Sequence, residues 1–83
     1  MSITTDETRE LVRAALAHIV PPGEFDGLDP DADLRQTFEL DSLDFVEFVE
    51  RLSQRSGVRI DEEDYPELRS LTTVTALLQA RAG

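Results

Sequence analysis

Apolar residues recur at helical spacing in three stretches of this chain. From about Asp6 to Val20, Leu11, Val12, Ala15, Leu16 and Ile19 form one stripe, with Thr5 or Asp6 placed as a cap and Asp6, Glu7 and Glu10 near the start. Pro21-Pro22-Gly23 ends that helix. A second stripe, Phe45, Phe48, Val49 and Leu52, has Asp44, Glu47, Glu50, Arg51, Gln54 and Arg55 on the opposite side, as in a surface helix packed along one face. Asp41 stands at its N-cap position and Asp44, three residues on, completes a pattern close to a capping box. The helix is therefore predicted to start at Ser42 or one residue away, and to end near Arg55 or Ser56 with Gly57 as C-cap. A third stripe, Val74, Leu77 and Leu78, follows Thr72 or Thr73, either of which can cap a final helix.

The intervening segments read as connections. Pro21 to Leu40 is a long loop rich in Gly, Pro and Asp, with Phe25, Leu28, Leu34 and Phe38 available as pins. Val58-Arg59-Ile60 is an extended link too short for a sheet. Asp61-Glu62-Glu63-Asp64 leads into a short irregular helix that accommodates Pro66 only in its first turn. The predicted fold class is all-α: a small bundle of three main helices plus one short irregular helix, with a long loop between the first and second.

Length and charge narrow the function. A chain of 83 residues is expected to be one small domain that buries only about 60% of its unfolded surface. With no cysteine, neither a disulfide nor a cysteine-ligated zinc braces it. Met1 to Asp6 has no basic leader-like region and no apolar run approaches a membrane span, so a cytoplasmic protein with no membrane partner is the expectation. Eight basic residues, all arginine, face 18 acidic ones for a net charge of −10, which disfavours nucleic acid and favours basic protein surfaces. Between Pro22 and Glu50 ten acidic residues accompany a single arginine, Arg35, a field suited to docking on Arg/Lys patches; the plainer reading is solubility and ordinary capping.

The candidate chemistry centres on Ser42. A helix N-terminus suits an anion, so a phosphate esterified there is well placed. Leu43 falls on the charged face of the wheel, close in angle to Glu47 and Glu50, where no core can bury it; an exposed leucine beside a modifiable serine suggests a contact kept for partners. The structural alternative is a plain helix start, since Ser and Asp are ordinary there. Ser42 has no base to activate it as a nucleophile: His18, the single histidine, sits at another helix end with no neighbouring carboxylate in sequence. An enzyme is therefore not expected. Asp29, Asp31 and Asp33 alternate like an EF-hand loop, but Leu34 and Leu40 occupy two essential positions, leaving turn formation and capping as their role.

At Asp41-Ser42-Leu43-Asp44, followed by Val46-Glu47 and Val49, the chain resembles the acyl carrier protein family. The resemblance extends to Gly57-Val58-Arg59-Ile60, to Thr72-Thr73-Val74, and to the order of the parts, covering nearly the whole chain. It implies a single acyl-carrier-like domain over residues 1–83, with a 4′-phosphopantetheine arm on Ser42 that carries acyl groups as thioesters. It implies recognition roles for Asp41, Leu43, Asp44 and Glu47; Val46, beside the apolar stripe, and Glu50, on the charged face, complete the expected partner surface. The implied partners are a phosphopantetheinyl transferase and acyl-loading and acyl-processing enzymes with basic docking patches, acting on a monomer. Glu39 stands where the family commonly has glycine, the segment from Ile60 to Thr72 is longer than usual, and Arg51, Ser53, Gln54 and Arg55 replace residues that are acidic in many fatty-acid-synthesis members. These departures point away from housekeeping fatty acid synthesis toward a specialised lipid or polyketide-type pathway. The competing reading is an acidic helical interaction module with a carrier-like fold and no cofactor.

Overall fold

The computed structural model describes residues 3–82; Met1 and Ser2, part of the stretch read for a leader, lie outside them. The described chain is helical, with α1 (Thr5–Ala15), a 3₁₀ turn (Pro22–Phe25), α2 (Leu34–Thr37), α3 (Ser42–Ser56), a second 3₁₀ run (Glu62–Glu67) and α4 (Leu71–Ala82). Helix α1 packs against both α3 and α4. The core between them is Val12, Ala15 and Leu16 of α1, Phe45, Phe48, Val49 and Leu52 of α3, and Leu71, Val74, Leu77 and Leu78 of α4. Thr8 and Thr75 are buried across the α1–α4 contact, where the Thr75 hydroxyl donates to Thr8 Oγ1 at 2.8 Å, so two polar groups enter the core as a satisfied pair.

Local chemistry places the element ends, with four departures from expectation, the first being that α1 is capped by Thr4, whose Oγ1 accepts the Glu7 N–H at 3.1 Å, and not by Thr5 or Asp6. Helix α1 stops at Ala15, five residues before the predicted Val20, because its last residues turn: Ile19 N donates to Leu16 O at 2.9 Å and Val20 N to the same carbonyl at 2.8 Å. Val20 precedes Pro21, which disfavours helical backbone there, and the turn buries both Leu16 and Val20. Helix α4 begins at Leu71, and the Ser70 hydroxyl, in place of Thr72 or Thr73, accepts the Thr73 N–H at 3.2 Å. Pro66 lies deep in the second 3₁₀ run, outside its first turn; the segment avoids the clash of proline with an α-helical carbonyl by leaving α geometry, and Leu68 N closes it onto Tyr65 O at 3.0 Å. Gly57 ends α3 as expected, in the left-handed region at φ 72°, its N–H bonded to Ser53 O.

The long loop is held by groups far apart in sequence. Phe25 and Leu34 are fully buried, Leu28 nearly so, and the Phe25 and Phe38 rings pack with centroids 4.9 Å apart and planes tilted by 40°. The Arg9 guanidinium donates to the carbonyls of Phe25 (2.8 Å) and Leu28 (2.9 Å), stapling the loop to α1. Asp29 accepts the Asp31 N–H and Asp33 caps α2 through the Gln36 N–H, so these aspartates serve turns and caps as expected. Leu34 N donates to Arg69 O at 2.7 Å and Thr72 N to Pro30 O at 3.0 Å, which clasps the loop to the segment leading into α4.

Glu39 closes the loop at φ 52°, a left-handed backbone that a side-chain-bearing residue adopts at a cost of roughly 1–2 kcal/mol. Glycine has no such penalty but loses more entropy on folding, so Glu39→Gly is expected to stabilise the protein by about 0.5–1 kcal/mol and Glu39→Val to destabilise it, as read by thermal unfolding.

Asp64 is a buried acid whose carboxyl is held below the usual carboxylate range. The Asp61 N–H donating to Oδ2 at 2.9 Å is the main cause; burial opposes it, and Arg81, 2.6 Å from Oδ1, reinforces it. A lowered folded value means that the contribution to stability is complete above the unfolded value, about 3.9, and is lost as the pH falls below it through the folded value. Denaturation midpoints measured over that acid range are expected to fall for the wild type and to fall less steeply for Asp64→Asn.

Candidate functional site

The head of α3 is built by a reciprocal cap. Asp41 Oδ1 accepts the Asp44 N–H at 2.8 Å, and Asp44 Oδ2 lies 3.4 Å from the Asp41 N–H that donates to it. Ser42 is therefore the first residue of the helix and not its cap. Its side chain is exposed, and among the described residues its hydroxyl has no hydrogen-bond partner. The apolar stripe predicted from spacing is buried as a unit, which fixes the opposite face of α3 outward. On that face Leu43 is 77% exposed and Val46 40%, beside the exposed Glu47 and Glu50.

All seven residues singled out from sequence thus gather at the N-cap and in the first three turns of α3, but they are not equivalent. The carboxylates of Asp41 and Asp44 are committed to the helix cap. Glu47 is engaged too: its Oε2 lies 2.8 Å from His18 Nε2. That contact corrects the reading of His18 as a histidine with no carboxylate neighbour, because the turn after α1 brings it to α3 across 29 positions of sequence. Leu43, Val46 and Glu50 are left with no such intramolecular duty. Nothing in this arrangement gives Ser42 a base, since the histidine faces the flank of α3 and not its head.

A pocket of about 480 Å³ opens beside Ser42, walled by Phe45 and Val46 of α3 and by Tyr65, Pro66 and Leu68 of the segment before α4, with Asp33, Arg35 and Arg69 also on its lining. The Tyr65 ring meets Phe45 edge-on at 5.4 Å between centroids. The sequence signalled Ser42, Phe45 and Val46, but the other pocket residues come from segments that lack helical periodicity and were legible only as connections. An exposed hydroxyl at a helix N-terminus, with an apolar recess adjoining it, has room for a phosphate-linked group and for part of a chain attached to it. Among the described residues no cluster of three or more His, Cys, Asp or Glu side chains is placed to hold a metal ion, and no helix is long and apolar enough to cross a membrane.

Comparison with known protein families gives a match. Residues 8–79 match the family described as "phosphopantetheine attachment site", a span from the middle of α1 to near the end of α4 that encloses the Ser42 helix and the pocket. No curated protein matches the chain.

Proposed function

Since the chain belongs to the phosphopantetheine attachment site family, we propose that the serine through which it carries the cofactor is Ser42. Proteins of this kind are carriers, not enzymes: the 4′-phosphopantetheine is covalently bound to a serine, and the carrier meets a phosphopantetheinyl transferase and acyl-handling enzymes. The observation that carries the assignment is the free, exposed hydroxyl of Ser42 at the head of α3, beside a pocket inside the matched span. The same reading makes the chain a single carrier domain, acting as a monomer in the cytoplasm, that delivers acyl thioesters to successive enzymes of a specialised lipid or polyketide-type pathway.

When bound, the group supplies the thiol that a cysteine-free chain lacks. The protein's residues do the rest. Asp41 and Asp44 hold the first turn of α3 rigid, so Ser42 is presented to a modifying enzyme in one orientation. Phe45, Val46, Tyr65 and Leu68 offer an apolar recess of about 480 Å³ that excludes water from a short acyl chain folded back from the arm. Leu43 and Val46 offer apolar contact to a partner while Glu47 and Glu50 attract its cations, a combination that speeds encounter and fixes orientation.

The partner face is tested by charge reversal. Because Asp44 also caps the helix, Glu47 and Glu50 are the cleaner positions. Glu47→Arg/Glu50→Arg is expected to lower kcat/KM for arm transfer by about 10-fold at low salt, with helix content unchanged and the deficit shrinking as salt rises. A salt-independent deficit refutes electrostatic docking.

The overall reading is tested by the intact mass of protein purified from its own cells. A mass one phosphopantetheine above the sequence mass, with further acylated species, supports it. A population at the bare sequence mass throughout supports instead the acidic interaction module without cofactor.

A further inference from the structure

The rim of the pocket carries positive charge in a chain of net charge −10. Arg35, the single arginine among the ten acids between Pro22 and Glu50, and Arg69 both line it. The backbone clasp from Leu34 N to Arg69 O brings their two segments together. Of the six other arginines, four are spoken for, Arg9 by loop carbonyls, Arg13 by Glu10, Arg59 by Asp61 and Arg81 by Asp64, while Arg51 and Arg55 lie outside this pocket. Among the described residues neither Arg35 nor Arg69 has a carboxylate within ion-pair distance; the Arg35 guanidinium carbon instead stands 4.9 Å from the centroid of the Phe45 ring. Asp33 shares the lining, but its Oδ1 is taken by the Gln36 N–H as the cap of α2.

Two guanidinium groups beside an apolar recess, without a protein counter-ion, are suited to an anion from outside the chain. The recess itself is walled by Phe45, Val46, Tyr65 and Leu68, where a charged cargo tip would be desolvated without a partner. The anion therefore belongs at the rim, next to Ser42. Resting on the assignment of the arm to Ser42, we propose that Arg35 and Arg69 form a seat for the phosphodiester linking the arm to that serine. The planar, multi-donor guanidinium suits phosphate oxygens, and pairing with both arginines turns the arm away from solvent and across the Phe45–Tyr65 wall. The seat makes Arg35 and Arg69 positioning residues for the arm, with no part in its attachment chemistry.

The experiment compares the full chain before and after loading with coenzyme A and a phosphopantetheinyl transferase, with complete loading verified by intact mass. In ¹⁵N-arginine-labelled wild-type protein, the Nε–Hε resonances of Arg35 and Arg69 are expected to shift on loading, while those of Arg55 and Arg59 stay in place. The ³¹P resonance of the arm is expected to shift in Arg35→Gln and in Arg69→Gln relative to wild type. Unmoved Arg35 and Arg69 resonances in fully loaded protein overturn the seat, as do resonances that move only when the arm carries an acyl group, which would assign the pair to cargo. The wild-type comparison decides even where a variant fails to fold. A missing mass increase, by contrast, removes the Ser42 assignment and the seat with it, so the two failures are separated by mass and resonance.

Discussion

Ser42→Ala is expected to take up no mass from coenzyme A under conditions in which the wild type gains one phosphopantetheine, while folding as well as the wild type. The modification is lost because the hydroxyl is the point of attachment and alanine offers no substitute. The fold is spared because Ser42 is not the cap: Asp41 and Asp44 carry the reciprocal hydrogen bonds, and the Ser42 hydroxyl makes none among the described residues. Alanine is also a better helix former than serine, so the unfolding free energy is expected to change by no more than about 0.5 kcal/mol. The other serines among the described residues have structural duties. Ser53 donates to the Val58 carbonyl at 2.7 Å, and Ser70 is buried and caps α4. Intact mass spectrometry and circular dichroism on the same sample read both halves of the expectation. Full loading of Ser42→Ala, or a wild type refractory to several transferases, defeats the assignment.

The largest expected loss of stability comes from the buried face of the same helix. Phe48 is fully buried in the α1–α3–α4 core, with its ring centroid 6.0 Å from that of Phe45. Phe48→Ala removes a large apolar side chain and leaves a cavity, a change that costs about 3–5 kcal/mol. Small domains have only roughly 5–15 kcal/mol in total, and a chain of 83 residues bearing ten excess negative charges sits toward the lower part of that range. The variant is expected to be largely unfolded at physiological temperature, or to melt tens of degrees below the wild type. Leu43→Ala, five positions away on the exposed side, is expected to shift stability by about 0.5 kcal/mol or less. Urea titration of the two variants separates them, and similar midpoints would show that α3 is not anchored as described.

The contrast between Phe48 and Leu43 also marks how far the chain could be read without its fold. The helical stripe, the Asp41–Asp44 box, the Gly57 cap and the outward position of Leu43 were legible because each depends on residues a few positions apart, where helix geometry fixes the distances. The head of α3, and with it the exposure of Ser42, belongs to that local class. The ends of the other helices were less legible. Helix α1 gives way to a turn that buries Val20, and α4 is capped by Ser70, because tertiary burial competes with capping preferences of similar size.

The residues of the sequence determined by themselves that there would be helices, which faces they would bury, and where an anion-friendly serine would stand. Only the tertiary structure decided that His18 reaches Glu47, that Arg9 staples the loop, and that Arg35 and Arg69 meet Phe45 and Tyr65 around one pocket. The physical reason is range. Helix hydrogen bonds and caps act over about four residues, whereas a pocket joins segments whose separation along the chain carries no periodic trace, and whose approach is set by the sum of packing across the whole core.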